Sequence, residues 1–242
     1  MNKLARGMIG LGQLIKSPGA IKNMLLDGYN EYYAGQRLVP VMAMTDLLGD
    51  DVGIKLENFW SKNGNVSSYE LMCLSALCAN YKPRVVLEIG TFDGNTALQM
   101  ALNIPPDSMV YTMDLPDGTS SGKLGAETRD LQFIAGDHRE NRRYARSAMA
   151  HKIKQILADS AEFNFSSLGG IDLAFIDGSH SFAYVKNDTE KILPLLNKGG
   201  VIIWHDYTPA WIGVWSYLNG LNQSMKLWNI EGTTLVVHIK KV

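Results

Sequence analysis

The sequence predicts an α/β fold in which a mostly parallel sheet carries helices on both faces. The leading observation is Val85-Val-Leu-Glu-Ile-Gly-Thr-Phe-Asp-Gly-Asn-Thr96, which runs from a β-branched apolar segment through a glycine-punctuated turn into the helix-forming stretch Ala97–Leu102. A second is the set of apolar runs Met109–Asp114, His151–Leu157, Ile171–Asp177 and Val201–Tyr207, several of which finish on acidic or imidazole side chains. The third is the final pair Met225–Ile230 and Thr233–Ile239, joined through Glu231-Gly232, which predicts a closing hairpin. Seven strands are expected, the last of them antiparallel.

Composition bounds the partners. At 242 residues the chain accommodates one α/β domain plus an extension. With 23 basic against 24 acidic residues it has no overall attraction for nucleic acid, and none is expected as a partner. Cys73 and Cys78 are spaced for neither a metal knuckle nor a redox pair, so buried free thiols in a reducing, cytoplasmic compartment are expected.

Taken in order, residues 1–64 are expected to form an N-terminal helical extension and residues 65–242 the main domain. Met1–Lys16 starts basic, but Arg6, Gln13 and Lys16 interrupt it, so it is too short and broken to span a bilayer. Ser17-Pro18-Gly19 breaks the stretch and Ala20–Leu26 resumes it. Residues 1–35 are expected to be a cap or a dimer element, implying a homo-oligomer. Peripheral contact with the inner face of a membrane is the alternative. Tyr29–Gly53 supplies aromatic and Met residues without a clear period, suited to a substrate wall or to packing. Ser67-Ser-Tyr-Glu70 predicts a capping box opening a helix through Ala79.

At the turn, Gly90 ends the strand where the backbone must bend, and Gly94 permits close approach of a ligand or of the helix N-terminus. Glu88 reads either as a satisfied structural acid or as a ligand-facing one. The glycine spacing fits neither the dinucleotide fingerprint nor a phosphate loop, which needs a lysine after the second glycine. Glu-x-Gly-x-x-x-Gly-x-Thr does fit, and here residues 65–242 resemble the class I S-adenosylmethionine-dependent methyltransferases, with their Rossmann-like methyltransferase fold. The resemblance implies S-adenosylmethionine as cofactor, its amino acid end wrapped by Glu88, Gly90, Thr91, Gly94, Asn95 and Thr96.

Asp114 ends the second strand about twenty residues past the turn, where a carboxylate can accept both hydroxyls of a ribose. The glycine-rich connection Leu115–Asp130 is long enough to be a lid or binding loop. Arg139, Arg142, Arg143 and Arg146 read as a solvated helix face or as an anion-recognising cluster. After the third strand, Asp159 and Ser160 are the positions that the resemblance places beside the adenine, and Phe163 and Phe165 are candidates for an apolar wall.

Ile171–His180 and Val201–Tyr207 bring Asp177, His180, His205 and Asp206 to the carboxyl ends of neighbouring strands, where open α/β sheets bind ligands. Ile-Asp-Gly-x-His followed by His-Asp-Tyr resembles the small-molecule O-methyltransferases that include macrolide-sugar, caffeoyl-CoA and catechol enzymes. That resemblance implies methylation of a hydroxyl on a small-molecule acceptor, with a sugar or glycosylated metabolite expected. It also implies a divalent metal, Mg²⁺, held by Asp177, His205 and Asp206, and places Asp177 against both cofactor and metal. The fifth-strand pair is His-Asp where the catechol type has Asp-Asn. His180 stands where the catechol enzymes put a basic lysine and is the expected base. Without a metal, His205 competes as base with Asp206 orienting it, and both histidines could instead be caps or turn partners. Trp211, Trp215 and Tyr217 read as acceptor-pocket walls or as core. Aminopropyl transfer, a non-catalytic cofactor binder and a membrane-surface scaffold are the competing functions on such a fold.

Overall fold

In the computed structural model, which describes residues 37–48, 51–119, 121–134 and 142–241, the apolar runs become strands of one sheet. These are β1 (Val41–Met42), β2 (Val85–Ile89), β3 (Met109–Asp114), β4 (Ile153–Leu157), β5 (Ile171–Ile176), β6 (Leu196–Trp204), β7 (Trp228–Ile230) and β8 (Val236–Ile239). Their order is β1-β7-β8-β6-β5-β2-β3-β4. Only β8 runs against its neighbours. The expected mostly parallel sheet with an antiparallel C-terminal strand is present. It has eight strands among the described residues rather than seven, because the two-residue β1 pairs with β7 at the far edge. That strand is too short to leave a periodic signal. Val39–Val242 form one compact unit; of the helical extension expected over residues 1–64, residues 1–35, with the cap, dimer and membrane roles, lie outside the described residues.

Side chains alternate between two cores because successive Cβ atoms point to opposite faces of a strand. Val86, Leu173, Phe175, Val201 and Ile203 join one core, while Leu87, Ala174, Ile176, Ile202 and Trp204 join the other. The first is covered by α1 (Ser68–Tyr81) and α2 (Asn95–Leu102), the second by α3 (Phe182–Ile192) and α4 (Ile212–Leu221). The capping box is formed: Ser67 Oγ accepts from Glu70 N at 3.2 Å and Glu70 Oε2 accepts from Ser67 N at 2.9 Å. Leu71, Leu74 and Leu77 of α1 are buried, each contributing about 1.5–3 kcal/mol. The helix stops at Lys82, which takes a left-handed conformation (φ 50°).

The strap 55–57 is stitched to α2 by carboxamides rather than by apolar contact. Gln99 exchanges bonds with Glu57 N and O at 3.0 and 2.8 Å, and Asn103 with Lys55 N and O at 2.8 Å each. Both side chains can do this because an amide offers a donor and an acceptor together.

Candidate active site

The chain reverses its winding between β2 and β5: β3 and β4 follow on one side, β6 on the other. Ligands bind at such a switch point, outside the carboxyl ends of the strands. A cavity of about 340 Å³ lies there, lined among others by Gly90, Asp114, Ser160, Asp177, His180, His205, Asp206, Phe92, Phe133 and Trp211. That volume suits a small-molecule site.

The sheet ladder continues one residue past each strand and thereby aims the tips. Asp177 N donates to Ile89 O at 2.8 Å, His205 N to Ile176 O at 3.1 Å, and Gly90 N to Met113 O at 2.9 Å. Gly90 has φ 102°, and a Cβ there would overlap the Asp177 carbonyl oxygen, so the close approach of the two loops requires glycine. Gly94 also has positive φ, but the group against it is the Tyr144 ring, not the cavity.

Behind the turn two of the expected cofactor residues, Glu88 and Thr91, join a hydrogen-bonded network. Thr112 Oγ1 bonds Glu88 Oε2 and meets Thr91 Oγ1 at 2.7 Å; Gln155 Nε2 donates to Thr91 Oγ1 at 3.1 Å and Tyr144 OH to Gln155 Oε1 at 2.7 Å. Glu88 is fully buried behind the cavity wall, and burial pushes its carboxyl up to about 8 despite the Thr112 bond. Asn95 and Thr96 are buried in the first turn of α2; Asn95 N donates to Asp93 Oδ1 at 3.1 Å. Of the expected cofactor residues Glu88, Gly90, Thr91, Gly94, Asn95 and Thr96, Gly90 is the one on the cavity wall.

Asp114 does reach the cavity. Its Oδ1 accepts from Leu115 N at 3.0 Å, and its Oδ2 lies 3.4 Å from Arg142 Nη2. Ser160 lines the same space, whereas Asp159 turns away, accepting from Tyr184 OH at 3.0 Å and from Lys123 N at 2.7 Å. Arg142 and Arg143 are neither a solvated face nor an anion site. Arg142 is buried against Asp114 and Gln155, and Arg143 pairs with Asp93 at 2.7 Å while donating to the carbonyls of Asn58 and Trp60. Arg139 lies outside the described residues.

The strand tips carry the charge. His205 Nδ1 lies 2.9 Å from Asp177 Oδ1 and its Nε2 3.4 Å from Glu70 Oε2. His180 Nδ1 lies 2.6 Å from Asp130 Oδ1, and its Nε2 2.7 Å from Asp206 Oδ2 without the alignment of a hydrogen bond. Burial alone would lower both imidazoles, but their carboxylate partners dominate: His180 is pushed up to about 9 and His205 well above its ordinary value. Burial likewise would raise Glu70, Asp130 and Asp206, yet the two imidazoles, by hydrogen bonds to Glu70 and Asp130 and chiefly by the charge of His205 on Asp206, hold all three below the usual carboxylate range. Asp177 is raised, by burial and by Asp206 against the opposing pull of His205. Asp206 holds its position at φ 59°, a left-handed conformation that costs little for Asp.

Ligand atoms of Asp177, His180 and Asp206 lie within 4.8 Å of one another, the grouping among the described residues that could hold a cation. His180, expected as a base, therefore joins the two expected carboxylates, while His205 sits between Asp177 and Glu70. Two observations fit a divalent ion. His180 Nε2 is a buried nitrogen with no hydrogen-bond partner. And four carboxylates face two imidazoles, leaving surplus negative charge even with both imidazoles protonated.

Sequence reasoning missed two members. Glu70 was legible only as a capping residue, yet its Oε1 also accepts from Thr234 N and Oγ1 at 2.8 and 2.7 Å, tying α1 to the β7–β8 hairpin beneath His205. Asp130 was legible only as the end of a glycine-rich connection. Trp215 and Tyr217 are buried core, and only Trp211 of the three aromatic candidates reaches the cavity.

A parallel sheet with a carboxylate at the β3 tip and an acid–imidazole cluster at the β5 and β6 tips defines a Rossmann-like transferase fold. The methyltransferase-domain family profile matches residues 87–207, half of the chain, and the chain belongs to that family, the class I S-adenosylmethionine-dependent methyltransferases. It is 29% identical over 137 residues to the caffeoyl-CoA O-methyltransferase of Stellaria longipes, covering 54% of this chain and 49% of that one. It is 26% identical over 125 residues to the catechol O-methyltransferase of Mus musculus, covering 48% and 45%. The chain thus spans about half the length of the curated relatives it matches. The solved structure of the O-methyltransferase TomG from Streptomyces achromogenes shares the fold, with a TM-score of 0.51 over 88% of this chain and 98% of that one at 16% identity.

Proposed function

We propose that the chain transfers a methyl group from S-adenosylmethionine to a hydroxyl of a small molecule, with a divalent cation held by Asp177, His180 and Asp206. The observation that carries this is the placement of Asp114 and the Asp177–His180–Asp206 cluster on one cavity at the switch point. Asp114 accepts the ribose hydroxyls, Gly90 leaves room for the amino acid end, and Ser160 borders the adenine. The cofactor supplies an electrophilic methyl on a sulfonium, so the protein's work is to align an oxygen and manage its proton. A cation at the cluster, Mg²⁺ by the hardness of two carboxylates, would lower the pKa of a bound hydroxyl. His205 acts from behind: its contacts to Asp177 and Glu70 keep the Asp177 carboxylate aimed at the cavity. A cation-free mechanism with His180 or His205 as base is the second reading; as base or as ligand an imidazole acts in its neutral form, and the surrounding carboxylates oppose loss of the proton in both roles.

For the acceptor, the resemblance to macrolide-sugar enzymes supports a sugar or glycosylated metabolite. The T-shaped pair Phe92 and Phe133 at 5.7 Å on the cavity wall favours a competing reading, an aromatic diol. The deciding experiment follows labelled methyl from S-adenosylmethionine into paired panels of glycosides and catechols, with Mg²⁺ and with chelator. Mg²⁺-dependent transfer to either panel supports the reading and selects the acceptor. Cofactor binding without transfer to any acceptor would favour a non-catalytic binder.

A further inference from the structure

Apart from Asp206 at Nε2, the His180 ring is held from outside the proposed cation cluster, by Asp130 at its edge and Trp211 on its face. At its edge, Asp130 Oδ1 meets Nδ1 at 2.6 Å, and Asp130 Oδ2 accepts from His180 N and Ser179 Oγ at 2.9 Å each. On its face, the Trp211 ring is stacked at 3.9 Å and 19°. The Arg129 guanidinium lies 3.8 Å from the same Trp211 centroid, and at those distances it and the imidazole cannot share a face. Arg129 is fixed in turn by Glu127 at 2.8 Å and by the Ala210 carbonyl. Trp211 is therefore covered on both faces and offers the cavity only its edge.

Asp130 and Arg129 both come from the single 3₁₀ turn Thr128–Asp130, in the glycine-rich connection between β3 and β4. One short segment grips the imidazole edge directly and, through Trp211, its face. With Nδ1 committed to Asp130, the proton of a neutral imidazole resides there and the lone pair of Nε2 points at the Asp177–Asp206 pair. A carboxylate that fixes a ligand histidine in this way sets its tautomer, its ring orientation and its basicity.

We propose that Asp130 is a positioning residue for the cation cluster, holding His180 so that Nε2 completes the site made with Asp177 and Asp206. This rests on the cation reading above. The connection after β3, beyond covering the cavity, thereby supplies the outer partner of a ligand.

The test is Mn²⁺ binding to the full chain, read as the loss of the free-ion electron paramagnetic resonance signal, alongside calorimetric titration of S-adenosylmethionine. Asp130→Ala is expected to weaken Mn²⁺ about 10–100-fold, with cofactor affinity unchanged within about twofold. Asp130→Asn, which keeps an acceptor for Nδ1, should lose less. In a His180→Ala background, replacing Asp130 should cost nothing further, because the group it positions is gone. Ser179→Ala, which removes another donor to Asp130 but not the imidazole contact, should bind Mn²⁺ as the parent does. Unchanged Mn²⁺ affinity in Asp130→Ala, or in Asp130→Asn should the alanine variant not fold, would overturn the proposal while leaving the cation site standing. An equal loss in the His180→Ala background would overturn it in favour of a purely structural anchor. A parent protein that binds no Mn²⁺ would overturn both this proposal and the cation reading, and cofactor titration would show whether the methyltransferase reading survives.

Discussion

Two buried polar regions flank the same crevice and are built on opposite principles. Behind the β2–β3 tips, Glu88, Thr91, Thr112, Gln155 and Tyr144 form a network of largely neutral hydrogen bonds, in which burial favours the protonated form of the one acid. At the β5–β6 tips four carboxylates surround two imidazoles, which hold Glu70, Asp130 and Asp206 below the usual carboxylate range while burial raises Asp177. The first network rigidifies the turn beside the cavity, although Glu88 Oε1 is itself a buried oxygen without a hydrogen-bond partner. The charge-rich cluster is where the proposed cation would sit. In the proposed reading the first region is scaffold and the second chemistry, although the sequence marks both with the same residue types.

The comparison breaks most clearly at Asp206. Asp206→Asn keeps a side chain that tolerates the left-handed backbone but removes the negative charge that a proposed ligand brings to the cation. Methyl transfer should fall at least about 100-fold, beyond the 10–100-fold typical of outer partners, with the circular dichroism spectrum unchanged. Retained turnover would remove Asp206 from the cluster's chemistry.

On the scaffold side the largest effect belongs to Gly90→Ala. Positive φ alone costs on the order of 1–3 kcal/mol, and the Cβ would strike the Asp177 carbonyl. Thermal unfolding should shift down by roughly 4–10 °C; an unshifted midpoint would mean the two loops separate freely.

Glu88 sharpens the contrast through pH. Its carboxyl is raised from 4.5 to about 8, so the folded state holds the proton more tightly than the unfolded chain. The stability it contributes is fully present below its ordinary value and is lost as pH rises through about 8, at up to about 1.4 kcal/mol per pH unit. Urea titrations across that window should show a steeper decline for the parent than for Glu88→Gln. Parallel curves would mean the acid is ionised in the fold.

The smallest effect is a control outside both regions. Arg84 and Asp107 form an exposed pair at 3.4 Å, and Arg84→Ala should change stability by no more than about 0.5 kcal/mol. A larger loss in the same urea titration would show that exposed pairs contribute comparably to the buried regions.

Much of this was legible in the sequence, for reasons that are local. The apolar strands, the Ser67–Glu70 capping box, Gly90 and the polar ends Asp114, Asp177, His205 and Asp206 are all written in short stretches where spacing alone determines geometry. Asp130 meets His180 across 50 residues and Glu70 meets His205 across 135, distances over which no periodicity operates. Arg142 and Arg143 misled because a basic run usually marks a solvated face, whereas here each arginine is buried against a carboxylate distant in sequence. Gly213 gave no signal at all, yet a Cβ there would collide with the backbone of Ser181 and Phe182, so it sets how closely α4 approaches the His180 turn.

The most direct test of the central claim is calorimetric titration of S-adenosylmethionine, in the presence of Mg²⁺, into the parent protein and into Asp114→Ala. The account predicts saturable binding by the parent and binding about 10–100-fold weaker in the variant, the loss expected for hydrogen bonds to a charged acceptor. No binding by the parent, with or without Mg²⁺, would contradict it.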